Sequence, residues 1–200
     1  MIGDNSMVWP VSVPDGESPC GTVKIDTFTV SEEDARFHNI RARGRGAINP
    51  GTYKRLRIDG ETVMSNTPME IRTNRQAFFK AKGQVLINGL GLGMLVEKML
   101  TKPDVEHITV IEKNPAVIAL VGPVFEGNDR VTIIEADAFE YQPPKGVKYQ
   151  LVFHDIWTFI VSDNLPEMHK LQRKYGRRAE LQISWAREEC ELSRDGYRVA

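Results

Sequence analysis

Gly89, Gly91 and Gly93 stand at alternate positions directly after the apolar run Val85-Leu86-Ile87, and Glu112 ends the next β-branched run. Glycines at that spacing let a backbone turn tightly and approach a ligand closely, because no Cβ intervenes. A carboxylate about 20 residues further on can accept both hydroxyls of a ribose. Together they have the chemistry of a nucleoside site. Other reactive side chains follow later apolar runs. Asp137 and Ala138 come after Val131–Glu135, and His154, Asp155 and Trp157 come after Leu151-Val152-Phe153. Ligands of open parallel sheets sit beyond the carboxyl ends of the strands. Asp155 is therefore expected to face a reacting centre, where it could take a proton from an attacking group. His154 offers a second base or, alternatively, a packed and hydrogen-bonded imidazole. Trp157 offers a π face to a cation, or a plain apolar cap.

The elements that must position these groups are legible from the same stretch. Residues 84–112 read QVLINGLGLGMLVEKMLTKPDVEHITVIE. A short β-branched run, a glycine turn, a segment with Met94, Leu95, Lys98, Met99 and Leu100 at helical spacing, a proline break and a second β-branched run make a β-α-β unit. The helix after the turn points its first amides at whatever the turn holds. Asn114–Val121, with Pro115 at its start, reads as the next helix, Val131–Glu135 as the third strand and Leu151–Phe153 as the fourth. No GxxxxGK[ST] occurs, so a P-loop is excluded, and the spacing GxGxG differs from the GxGxxG of dinucleotide sites.

The GxGxG turn with its strand-end acid resembles the class I methyltransferases, which bind S-adenosylmethionine (SAM), and more closely their spermidine synthase-like branch. The blocks LRIDGETVMSN, VLINGLGLG, ITVIEKNPAVI, VTIIEADAFE and LVFHDIW, between Tyr53 and Asp155, carry that resemblance. The stretch HDIW…NLPEM…YGRRAELQISWAREEC is similar to an uncharacterised group of methyltransferase-like proteins. The resemblance implies SAM as cofactor, with Gly89, Gly91 and Gly93 in its turn, Glu112 on the ribose and Asp137-Ala138 at the adenine. It sets Met64, Ser65 and Asn66 in a loop near the methionine end, and gives Asp155 the proton-accepting role of polyamine synthases. Two positions depart from that branch. Leu92 stands where polyamine synthases carry an acid for the cofactor's amino group, and Val63 where they carry a glutamine. Ile87 replaces the acid that methyltransferases often place two residues before the first glycine, so Asn88 or the Met64 loop would have to substitute.

The remaining chain frames this unit. Residues 1–21 read as a flexible leader or a strap over the surface, and Thr22–Val30 as a half-buried strand. Ser31 caps a short helix whose first turn is acidic, and Arg41, Arg43 and Arg45 form a basic loop. Asp59-Gly60 between alternating runs marks a hairpin. Thr67-Pro68-Met69-Glu70 reads as a capping box opening a helix to about Lys82. After Asp155, Asp163 to Tyr175 reads as a helix, followed by a basic cluster at Arg173, Lys174, Arg177 and Arg178. Arg177–Glu191 reads as a second helix, with Ile183, Trp185, Ala186 and Cys190 inward.

Apolar and charged fractions of 41% and 26% are those of a globular protein. The formal net charge of −1 provides no field for nucleic acid or an anionic membrane. Cys20 and Cys190, the two cysteines, read as unpaired thiols of a cytoplasmic protein. No run approaches the ~20 apolar residues of a membrane span.

These observations predict an α/β, Rossmann-like SAM-binding fold, with a truncated four-stranded parallel sheet and a small N-terminal β appendage. Residues 1–66 form the leader and hairpin, and residues 67–200 the SAM-binding unit. The expected activity is methyl transfer to a small-molecule or unknown acceptor. Aminopropyl transfer and a non-catalytic SAM-fold module are the alternatives. The C-terminal helices are expected to cover the open sheet edge and to contribute to a homodimer. Because Leu92 and Val63 lack the polar groups of polyamine synthases, an assay with putrescine and decarboxylated SAM is expected to yield no spermidine. Robust spermidine formation would promote aminopropyl transfer instead.

Overall fold

A computed structural model describes residues 9–42 and 46–194. Alternating sequences build one sheet, antiparallel and on the N-terminal side. Its strands are β1 (Gly16–Glu17), β2 (Val23–Val30), β3 (Gly51–Ile58) and β4 (Glu61–Ser65), hydrogen-bonded in chain order. Asp59 and Gly60 turn β3 into β4 with φ of 49° and 84°, the left-handed pair that a two-residue hairpin demands. Helix α1 (Glu32–Ala42) follows β2, and Ser31 Oγ accepts the Asp34 N–H at 3.1 Å as its cap.

Near-continuous apolar runs build the second sheet, which is wholly parallel. Its strands are β5 (Gly83–Asn88), β6 (Val105–Glu112), β7 (Val131–Glu135), β8 (Tyr149–His154) and β9 (Ala179–Ser184), in the spatial order β7-β6-β5-β8-β9. Helices α2 (Pro68–Lys80), α3 (Met94–Leu100), α4 (Pro115–Val121), α5 (Leu165–Tyr175) and α6 (Arg187–Arg194) complete the chain. The architecture is α/β and Rossmann-like, with a small antiparallel sheet added. Among the described residues no helix is long and apolar enough to cross a membrane.

The parallel sheet has five strands where four were expected. Residues 177–191 carry Ile183, Ala186 and Cys190 at helical spacing, but Ala179, Leu181 and Ile183 also alternate. Tertiary demand selects the second period. The open edge of β8 pairs with this segment in the register Leu151↔Leu181 and Phe153↔Ile183, which satisfies backbone groups that a helix would have left bare. A turn follows at Trp185-Ala186, and helix begins only at Arg187. The β8 edge is thus covered by a strand and not by the two expected helices.

Smaller corrections lie before β5. The expected capping box does not form: Thr67 makes no capping bond, its hydroxyl lies 2.9 Å from Ser65 Oγ, and Glu70 is buried. Helix α2 ends at Lys80, and Gly83 already belongs to β5. Met64 and Ser65 lie in β4, not in a loop. Of the basic loop, Arg43 and Arg45 lie outside the described residues.

One apolar cluster joins the two sheets. Val23, Ile25 and Leu56 from the antiparallel sheet pack in the same core as Val85, Ile87, Leu95 and Phe153. The expected boundary at residue 66 therefore falls inside continuous packing. Ahead of β1, Trp9 and Val13 are buried in that core, and the Trp9 ring meets Phe78 edge-on at 5.5 Å between centroids. Residues 9–15 are a strap. Trp9→Ala is expected to cost about 3–5 kcal/mol in chemical denaturation, the usual loss for a deleted core aromatic; a flexible leader would give no change.

Candidate functional site

The spatial order reverses at β5, which has β6 on one side and β8 on the other, and clefts form at such reversals. The strand ends are joined through the backbone. Gly89 N–H donates to Ile111 O and Asp155 N–H donates to Asn88 O, both at 2.8 Å. Gly89 has φ 102°, and a Cβ there would overlap the Asp155 carbonyl. Gly91 has φ 53°, and a Cβ there would overlap Met64 Sδ, which accepts the Leu92 N–H at 3.3 Å. Both positions need glycine for conformation and for space. Gly93 caps α3 with φ 73°, and a Cβ there would meet the Phe125 and Val121 side chains.

A cavity opens over these strand ends. The hairpin supplies one wall with Leu56, Ile58, Val63 and Met64. A bulge in the β3–β4 pairing sets Leu56 opposite Met64 and Arg57 opposite Thr62, leaving Val63 unpaired. That extra residue lets consecutive side chains, Val63 and Met64, both face the cavity. The floor holds Gly89, Gly91, Glu112, Asp137, Ala138 and Asp155, and the aromatic rings are Phe139, Trp157 and Trp185. Of the residues expected to form a site, Gly89, Gly91, Glu112, Asp137, Ala138, Asp155 and Trp157 are brought together here.

The acids are held individually. Glu112 accepts the Leu90 N–H with Oε2 at 2.9 Å and the Asn114 N–H with Oε1 at 2.8 Å, so its carboxylate bridges the glycine turn and the start of α4. Each oxygen keeps a further lone pair for a hydroxyl. Asp137 Oδ1 accepts the Phe139 N–H at 2.7 Å. Trp157 Nε1 donates to Glu167 at 2.9 Å, which fixes the ring at the rim. Burial, followed by the negative charge of Glu112, pushes the Asp155 carboxyl up to about 7. Such an acid changes charge near neutral pH, as a general base should.

Glu70 is the residue that sequence reasoning missed. Its carboxyl opens onto the cavity from the first turn of α2, and it is 7% exposed. Burial, and then the charge of Asp155, pushes it up to about 8. An acid three residues into a helix reads as a cap. The one signal to the contrary was that this helix leads straight into β5.

Asn88 and His154 lie apart from the cavity. Strand alternation turns His154 away from the face that Asp155 occupies, and its ring is fully buried. Its Nε2 is 3.0 Å from Gln182 Oε1, an acceptor, so Nε2 carries the proton; Nδ1 then accepts from Asn88 Nδ2 at 2.7 Å. With both nitrogens engaged and burial pushing it down to about 4, the ring is a neutral brace among β5, β8 and β9. Asn88 faces this ring, and its buried Oδ1 has no partner among the described residues.

No family model and no curated protein match the chain. Among solved structures it is similar to the spermidine synthase of Thermotoga maritima, with 16% identity, 79% of this chain and 52% of the other covered, and a TM-score of 0.45. It is also similar to the N-methyltransferase NodS of Bradyrhizobium japonicum WM9 (12% identity, 62% and 76% covered, TM-score 0.44). The 23S rRNA methyltransferase ErmE aligns at 16% identity with 56% and 43% covered, and a TM-score of 0.44. The chain spans less than half the length of ErmE and about half that of the spermidine synthase. At these identities the likeness is one of fold.

The raised Glu70 carboxyl has a consequence for stability. The folded state holds this proton more tightly than the unfolded chain does. The resulting stabilisation is full below the unfolded value near 4.5 and is lost as pH rises through about 8. Glu70→Gln imitates the protonated form. Its melting temperature is expected to exceed that of the parent at pH 9, with the difference closing by about pH 5. An equal or lower melting temperature at pH 9 would contradict the burial of this charge.

Proposed function

We propose that the chain binds SAM beyond the carboxyl ends of β5, β6, β7 and β8 and transfers its methyl group to an acceptor that enters beside Asp155 and Trp157. The observation that carries this reading is the convergence of Gly89, Gly91, Glu112, Asp137 and Asp155 on one cavity. The donor set fits the cofactor. Glu112 has lone pairs for two ribose hydroxyls, Asp137 can accept from an adenine amino group, and the glycines leave the turn open to close approach.

When bound, SAM supplies a methyl group on a positively charged sulfur, and its transfer depends mainly on in-line positioning. The chain's own residues have three tasks. Trp157 and Trp185 screen the cavity and offer ring faces to a cation. Asp155, poised near neutrality, takes the proton that the acceptor gives up. The backbone bond from Asp155 to Asn88 and the close packing of Gly89 hold that carboxylate at a fixed place relative to the turn.

Titration calorimetry is expected to show binding of SAM or of its demethylated product, S-adenosylhomocysteine. Glu112→Ala should weaken it by about 1.5–3 kcal/mol, at least tenfold, as charge-assisted bonds to ribose are lost. Tight binding of NADH with none of SAM would overturn the assignment. Once an acceptor is found, turnover should rise with pH through about 7 as Asp155 ionises. Asp155→Asn should lower turnover more than cofactor affinity.

A further inference from the structure

SAM and its demethylated product both end in an α-amino acid, so at neutral pH a site for them must accommodate an ammonium ion. A buried ammonium without a counter-charge is costly. The glycine turn offers none. Ile87 and Leu92 are apolar and buried, and the Asn88 side chain is bonded to His154. Of the cavity's acids, Glu112 already accepts two backbone amides and Asp137 accepts one. Asp155 stands at the end of β8, on the acceptor's side of the proposed reaction. Glu70 is left. It reaches the same cavity as Gly89 and Gly91 from outside the parallel sheet, and it lies buried where no cation among the described residues forms an ion pair with it.

We propose that Glu70 is the carboxylate that receives the cofactor's α-ammonium, so that the amino-acid end is recognised from helix α2 and not from the glycine turn. This rests on the SAM reading above. The charged groups around the cavity are Asp155 at the end of β8, Glu112 and the exposed Lys113 at the end of β6, and Asp137 after β7. Three of those four are acids, and burial, followed by the charge of Asp155, disfavours a charged Glu70 until a cation arrives. Glu70 therefore holds a proton at neutral pH in the free protein. It gives that proton to solvent when the ammonium binds, and the carboxylate and ammonium then neutralise each other.

The test is calorimetry at pH 7 in two buffers of different ionisation enthalpy, with two probes. S-Adenosylhomocysteine carries the amino acid; 5′-methylthioadenosine has the same nucleoside and sulfur without it. In the parent protein the first probe should bind with release of a proton and the second without. Glu70→Gln should weaken S-adenosylhomocysteine by about tenfold or more and abolish the release. It should leave 5′-methylthioadenosine within about twofold, which also reports that the variant is folded. In Asp155→Asn the release should persist. The inference is overturned if Glu70→Gln binds S-adenosylhomocysteine as tightly as the parent, if it weakens both probes equally, or if the release survives in it. Failure of both probes to bind the parent protein would instead defeat the SAM reading, and this inference with it.

Discussion

The backbone of Gly89 passes so close to the carbonyl of Asp155 that no side chain fits between them. Much of the site follows from that contact. It forces glycine and a positive φ at the end of β5, and it locks the turn to the tip of β8. Because Asp155 also donates its N–H to Asn88 O, the start of the segment after β8 and the turn form one rigid edge. Beneath it, Asn88, His154 and Gln182 link the tips of β5, β8 and β9 through side chains. A neutral imidazole suits that place, since a charged one would sit buried without a counter-ion.

Above the edge, electrostatics runs against stability. Glu70, Glu112, Asp137 and Asp155 share one cavity; burial and then the charge of Glu112 push Asp155 up to about 7, and burial and then the charge of Asp155 push Glu70 up to about 8. A fold selected for stability alone would place apolar groups there. Concentrating acids in a partly dry space keeps protons on them up to near-neutral pH. The hairpin has a corresponding role. Its bulge at Val63 sacrifices a regular ladder so that Val63 and Met64 can both line the site.

Much of this was legible in the sequence. The β-α-β unit, the glycine turn, Glu112, Asp137 and Asp155 are local features, and the periodicity and strand-end chemistry that reveal them are local too. What escaped depends on distant partners. The segment from Ala179 to Ser184 satisfies both a helical and a strand period, and only the bare edge of β8 decides between them. Glu70 sits where a capping acid would sit, and only the packing of α2 over the cavity makes it a buried acid. His154 stands beside Asp155 in sequence, yet the pleat sends the two side chains to opposite faces. Adjacency along a strand is separation in space.

The position of β9 in the chain has a consequence for synthesis. The hairpin of β3 and β4 can close as soon as its two-residue turn has been made. Strand β8 cannot do likewise, because its outer partner is parallel and arrives only after α5 has been made. Between the emergence of His154 and that of Ser184 from the ribosome, one edge of β8 stands bare, flanking the apolar Leu151, Val152 and Phe153. In that interval a neighbouring nascent chain could add the strand that β9 later supplies. The interval in which this edge is open to misassembly is therefore set by the length of a crossover, not by the stability of the finished sheet.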